Sequence, residues 1–289
     1  MHKTDPSAIR RTWVLPPQVK TRQVNGYEMA YIERGSGVPV VLVHGAVSDY
    51  RHWSSQIGPF SQRYRTIAVS LRHFYPEPWD GEGVDFSLRQ HAADLASFIK
   101  ALNAGPVHVV GHSLGADIVL ILAIAHPELI RSMVLAEPAP LNELLPKTAA
   151  VATWIEQRHI VFSSARECLE QGDLDGGVGK IIDAVSDPDT WENTPQRQKQ
   201  RFLDNAWSIK SLATDVQEPL TCSVIAEIST PVLFVKGGKC AKAYDEMMNA
   251  LQRCLKHDEK VVIPNAPHAM NRVNPKAFNR AVLGFFARH

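Results

Sequence analysis

Little in this sequence is extreme, and each shortage closes off a class of function. Four cysteines, Cys168, Cys222, Cys240 and Cys254, are spread over 289 residues with no Cys-x-x-Cys pair and no Cys/His spacing suited to zinc. A disulfide scaffold and a metal site are therefore not expected, and reduced thiols in a cytoplasm are the simplest reading. Charge of one sign is also lacking: 31 Lys and Arg stand against 30 Asp and Glu, for a net +1. With the basic residues scattered, neither nucleic acid nor an anionic membrane is an expected partner. Long apolar runs are missing too. The longest, "IVLILAIA" at 118–125, is too short to cross a bilayer, and the N-terminus has charges and prolines where a secretory signal would have its apolar stretch.

What is present is 45% hydrophobic residues, enough for one large core, or a core with a lid. Residues 1–18 read as an extended arm. "QVNGYEMAYIE" (23–33) alternates around Asn25-Gly26, which predicts two strands joined by a type I′ turn. Continuous apolar runs follow at 38–44, 65–71, 106–112, 131–137, 231–237 and 259–265, the pattern of strands buried on both faces of a parallel sheet. Helical patterns at 87–102, 114–127, 244–255 and 274–288 alternate with them, so the fold class is α/β. From 139 to 229 the alternation stops and the chain turns helical and polar, which predicts a helical cap inserted between strands of a core formed by 19–138 and 230–289.

"GHSLG" (111–115) sets Ser113 between two glycines where a strand gives way to a helix. Gly111 and Gly115 allow a turn sharp enough to push the hydroxyl out at the carboxyl end of the strand, with helix amides behind it. A free hydroxyl is too weakly acidic to attack a carbonyl at neutral pH and needs a base. Of twelve histidines, only His268, in "IPNAPHAMNRVNP", sits on a loop between the last buried strand and the last helix, at the sheet edge where α/β folds gather reactive groups. His44, His91, His108, His112 and His126 have structural readings. The His44-Gly45 turn after a central strand places the Ala46 N–H, together with that of Leu114, as the two donors of an oxyanion hole.

These segments, "VLVHGA", "GHSLGA", "AHPELIRSMVLAEP", "STPVLFVKGG" and "PNAPHAMNRVNP", in this order, resemble the α/β-hydrolase family over nearly the whole chain from about residue 20 to 288. The resemblance implies an eight-stranded, mostly parallel sheet, a cap between the sixth and seventh strands, no cofactor, and a small-molecule substrate. It also exposes a departure. The segment after the seventh strand, where family members usually carry the triad aspartate, reads "VKGGKC" and puts Cys240 at that place. A thiol is a poor stabiliser of an imidazolium. Two carboxylates remain. Asp245 has an ordinary reason to open the next helix, since it complements the dipole there. Glu137 ends the sixth strand among apolar neighbours, with little structural reason to be charged. Some family members place their acid after strand six, which favours Glu137 and leaves Asp245 as the lesser candidate.

Other signals are set aside. "GDLDGGVGK" (172–180) lacks the glycine and Ser/Thr positions of a phosphate loop and reads as a cap turn. "RGSGVP" (34–39) lacks the third glycine of a dinucleotide fingerprint, so no nicotinamide or flavin is implied. Arg72 reads as structural. Trp53, Phe74, Trp79, Trp154 and Trp207 fit an apolar pocket and plain packing equally well. The expected activity is a serine hydrolase of a small apolar ester or lactone. The alternatives are carbon–carbon bond hydrolysis, another chemistry on the same fold (lyase, perhydrolase, cofactor-free oxygenase), and a non-catalytic ligand-binding role. Oligomeric state is not readable from the sequence.

Overall fold

The structure is a computed structural model that describes residues 15–83, 85–138, 144–212 and 220–289. The predicted arm lies almost wholly outside the described residues, as do two short stretches at the edges of the predicted cap. The strands are β1 (Lys20–Val24), β2 (Tyr27–Arg34), β3 (Pro39–Val43), β4 (Arg65–Val69), β5 (Val107–His112), β6 (Ile130–Ala136), β7 (Val232–Gly237) and β8 (Asp258–Ile263). They form one sheet in the order β1-β2-β4-β3-β5-β6-β7-β8. β1 with β2 and β2 with β4 run antiparallel, and every later pairing is parallel. Asn25 and Gly26 both adopt positive φ, +46° and +75°, as a type I′ turn requires.

Because strand side chains alternate between faces, the continuous apolar runs divide into two cores. Val41, Val43, Ile67 and Val69 join the core covered by α2 (Leu88–Leu102) and α3 (Leu114–Ala125), while Val40, Leu42 and Ala68 join the opposite core. On that second side lie α1 (Ser54–Phe60) and, at the end of the chain, α10 (Met270–Val273) and α11 (Pro275–Phe286). Residues 54–60 show no helical period and contain Gly58 and Pro59, yet they are helical because Trp53 and Phe60 are fully buried among Phe278 and Phe286. Packing overrides propensity there.

Between β6 and β7 come α4 (Ala149–Glu170), α5 (Leu174–Val185), α6 (Gln196–Leu203), α7 (Ser208–Leu212) and α8 (Cys222–Ala226), and α9 (Lys242–Gln252) follows β7. The first four share a separate apolar cluster, with Ala165, Leu169, Ile181, Phe202 and Ile209 packed over Val47 of the loop after β3. The stretch read as a cap turn is instead the start of α5. Asp173 caps it by accepting the Gly176 N–H at 2.8 Å, and Gly177 fits where a Cβ would run into Leu169 of α4. Gly172, at φ +83°, makes the short turn ahead of the helix, whereas Gly177 and Gly179 serve close packing against Leu169 and Trp191.

A second correction concerns the thiols. Cys222 and Cys254 form a disulfide, while Cys168 and Cys240 are free. The first residue of α8 meets the turn just after α9, which brings two Cα atoms 32 residues apart in sequence to 5.1 Å. Arg72 has the structural role expected of it, bonding Asp94 of α2 at 2.7 Å and Asp85 at 2.9 Å. Among the described residues no helix is long and apolar enough to cross a membrane.

Candidate active site

Three loops meet at the carboxyl edge of the sheet, and each holds a non-glycine residue at positive φ: Val47 at +51° after β3, Ser113 at +54° after β5 and Glu137 at +45° after β6. Such backbone costs about 1–3 kcal/mol per residue and persists only where the surroundings enforce it. At Ser113 the enforcement is visible. Its N–H donates to the Ala136 carbonyl and its own carbonyl accepts the Ala116 N–H, both at 2.8 Å. A Cβ on Gly111 would collide with the Gly115 carbonyl, and one on Gly115 with the Val43 and His44 carbonyls. The chain can therefore turn this tightly only with both glycines.

Glu137 is fully buried. β6 pairs with β7 so that Ala136 faces Val235, and the next residue is thereby delivered to the end of β7, where its Oε1 accepts the Gly237 N–H at 2.7 Å. Its Oε2 accepts from Nδ1 of His268 at 2.6 Å. With Nδ1 carrying that proton, Nε2 is the nitrogen free to act as a base. His268 is fixed from two further sides. Nε2–H of His112 donates to the His268 carbonyl at 2.8 Å, and the ring of Tyr244 stacks on the imidazole at 5.2 Å between centroids.

Ser113, His268, Ala46 and Leu114 all line one cavity, open to solvent and roofed by α4, α5 and α6. Leu114 opens α3, so its N–H has no intrahelical acceptor and is available to a ligand. Asp245 is turned away, as an ion pair with Lys236 at 2.8 Å and Lys260 at 3.3 Å. Burial opposes its charge, but the hydrogen bonds and charges of the two lysines hold its carboxyl below the usual range. Cys240, half-buried, lies beside Glu137, where burial first and then the carboxylate's charge push its thiol well up, so it stays protonated. Among the described residues no group of three His, Cys, Asp or Glu side chains is gathered to hold a metal ion.

The aromatic side chains left open between pocket and packing are separated by the structure. Trp53 and Phe74 are core, and the cavity's rings are Phe162, Phe202 and Tyr244. Sequence reasoning also passed over Arg158 and Arg272, which line the cavity. An arginine on a polar helix carries no signal that distinguishes it from a solvated one.

The histidines around the site are neutral by burial. His44 Nδ1–H donates to the Gly45 carbonyl at 2.8 Å and Nε2 accepts the Leu71 N–H at 3.1 Å, tying the loop of Ala46 to the end of β4, and burial lowers its pKa to about 4. His91, whose two ring nitrogens are buried without a hydrogen-bond partner among the described residues, is lowered by burial to about 3. An unfolded histidine titrates near 6.5, so below that pH the unfolded chain binds more protons and folding loses about 1.4 kcal/mol per histidine per unit. The stability is complete above about 6.5 and drains as pH falls toward the folded values. We expect the thermal midpoint to drop between pH 6.5 and 4.5, and His91→Leu to make that slope shallower; parallel curves for the two proteins would refute the assignment to His91.

The model of the Alpha/beta hydrolase family matches residues 40–281. Among curated proteins, the (E)-2-((N-methylformamido)methylene)succinate hydrolase of Acinetobacter baylyi is 26% identical over 273 residues, covering 91% of this chain and 96% of that protein. The 2-(acetamidomethylene)succinate hydrolase of Mesorhizobium japonicum is 24% identical, covering 88% and 89%. Among solved structures, a thermophilic esterase from Thermogutta terrifontis, described as malate bound, superposes with a TM-score of 0.75 at 22% identity, covering 94% of this chain and 98% of that one.

Proposed function

This chain belongs to the alpha/beta hydrolase family, and we propose that within it the protein is a serine hydrolase of small carboxylic esters or lactones, working through Ser113, His268 and Glu137. The single observation that carries the reading is the 2.6 Å bond from His268 to a fully buried Glu137, in a cavity that the strained Ser113 also faces.

In this mechanism Ser113 Oγ attacks the carbonyl carbon while its proton passes to Nε2 of His268. The carbonyl electrons move onto oxygen, where the N–H groups of Ala46 and Leu114 receive the negative charge; loss of one such donor typically costs about 10²–10³ in rate. Collapse expels the alcohol oxygen, which takes the proton from His268. Water then gives a proton to the same nitrogen and attacks the acyl carbon, and the second collapse expels Ser113 Oγ, which takes that proton back as the acid leaves. Glu137 stays anionic throughout and stabilises the imidazolium. The helices α4–α7 act as the cap, shielding these charged intermediates from bulk water.

Labelling with a fluorophosphonate tests this. Mass spectrometry should find the adduct on Ser113. An unlabelled protein, or an adduct elsewhere, would discard the activated serine and leave the non-catalytic reading.

A further inference from the structure

Several buried or half-buried arginines in this protein are neutralised by acids. Arg72 holds Asp94 and Asp85, Arg51 holds Asp49 and Asp204, and Arg65 holds Glu33. The two arginines that face the catalytic cavity break this pattern. Arg158, on α4, lies over the rings of Phe162 at 4.6 Å and Trp154 at 5.8 Å. Arg272, on α10 four residues beyond His268, lies over Phe202 at 5.3 Å. Among the described residues neither has a carboxylate within salt-bridge distance. Burial works against both charges; Arg158 feels the distant attraction of Asp117, while Arg272 feels only further repulsion, from Arg201. A guanidinium keeps its proton under such conditions, so the cavity has two positive charges against ring faces and apolar walls. An ion held in surroundings of that kind is costly unless a counter-ion joins it. A planar fork of donors is matched best by a carboxylate.

We propose that Arg272, assisted by Arg158, forms an anion subsite in the catalytic cavity, so that the preferred substrate is an ester or lactone whose acid carries a second, free carboxylate. The proposal rests on the serine-hydrolase reading above, narrows it to anionic esters or lactones, and replaces the apolar substrate expected from the sequence. The placement suits it. Arg272 is on the same short segment as the base, lines the same cavity as Ser113 and His268, and also lines an adjoining polar recess with Asp49, Arg51 and Arg201.

The test compares monomethyl succinate with methyl butanoate, which are alike in length but differ in charge. In wild type kcat/KM should favour the monoanion. In Arg272→Gln the ratio of the two should fall about 10- to 100-fold, as expected for a charge-assisted bond lost in a desolvated site. Arg272→Lys should keep part of the ratio, and Arg158→Gln should lose less than Arg272→Gln. A wild-type preference for the neutral ester, or ratios unchanged in both glutamine variants, overturns the subsite while methyl butanoate turnover leaves the hydrolase reading standing. If neither ester is turned over and Ser113 takes no label, the hydrolase reading fails. Calorimetric binding of succinate to wild type, absent in Arg272→Gln, then decides the subsite by itself. Should Arg272→Gln not fold, wild-type succinate binding that weakens steeply with salt supports the proposal, and no binding overturns it.

Discussion

Ser113→Ala is expected to lower kcat by about 10⁵- to 10⁶-fold, because the variant lacks the oxygen nucleophile of the proposed mechanism. The substitution is conservative in backbone terms. Alanine must adopt the same φ of +54°, and the bonds from the Ser113 N–H to Ala136 and from the Ala116 N–H to the Ser113 carbonyl are main-chain only. The variant should therefore fold with an unchanged far-UV spectrum and thermal midpoint, and still bind substrate. Turnover within tenfold of wild type, after exclusion of contaminating esterase, would falsify the nucleophile assignment.

Glu137→Gln should be the next most damaging change, at about 10³- to 10⁴-fold in kcat with little change in KM. An amide in place of the carboxylate offers no charge to the imidazolium, and its NH₂ group can face Nδ1 only if that nitrogen gives up its proton, which moves the proton to Nε2 and leaves the ring unable to act as a base. The Gly237 N–H at 2.7 Å can still be met by the amide oxygen, so the loss is expected in catalysis rather than in folding. Asp245→Asn is the control. Its partners are Lys236 and Lys260, and steady-state rates within about twofold are expected, as for surface changes away from a site. A large loss in Asp245→Asn with none in Glu137→Gln would reverse the assignment.

The two carboxylates also show where sequence reasoning stops. Both lie near strand ends in the chain, and helix-dipole and burial arguments order them without deciding between them. What separates them in space is β-sheet register. Ala136 pairs with Val235, which sets Glu137 at the end of β7, whereas Asp245 follows the outer helix α9 to the lysines of β7 and β8. Under the proposed triad, Cys240 can stand where the family's usual aspartate is expected, since Glu137 of the neighbouring strand already meets His268. Two carboxylates there would force one to stay protonated.

Strands, the tight turn at Ser113 and most core helices were legible in the chain because their causes are local. Period-two and continuous apolar runs place side chains on sheet faces whatever the partner, and the glycines at 111 and 115 leave only one way to turn the backbone. Local causes misled at 174–180, where glycines suggested a turn and packing made helix; at 54–60 no helical signal was present in the chain, and packing made helix there as well. The disulfide of Cys222 with Cys254, the choice of Glu137 for His268 and the arrival of Arg158 and Arg272 at one cavity belong to tertiary structure alone. Each depends on the relative position of segments separated by tens to hundreds of residues, and no local pattern encodes such distances before the chain has packed.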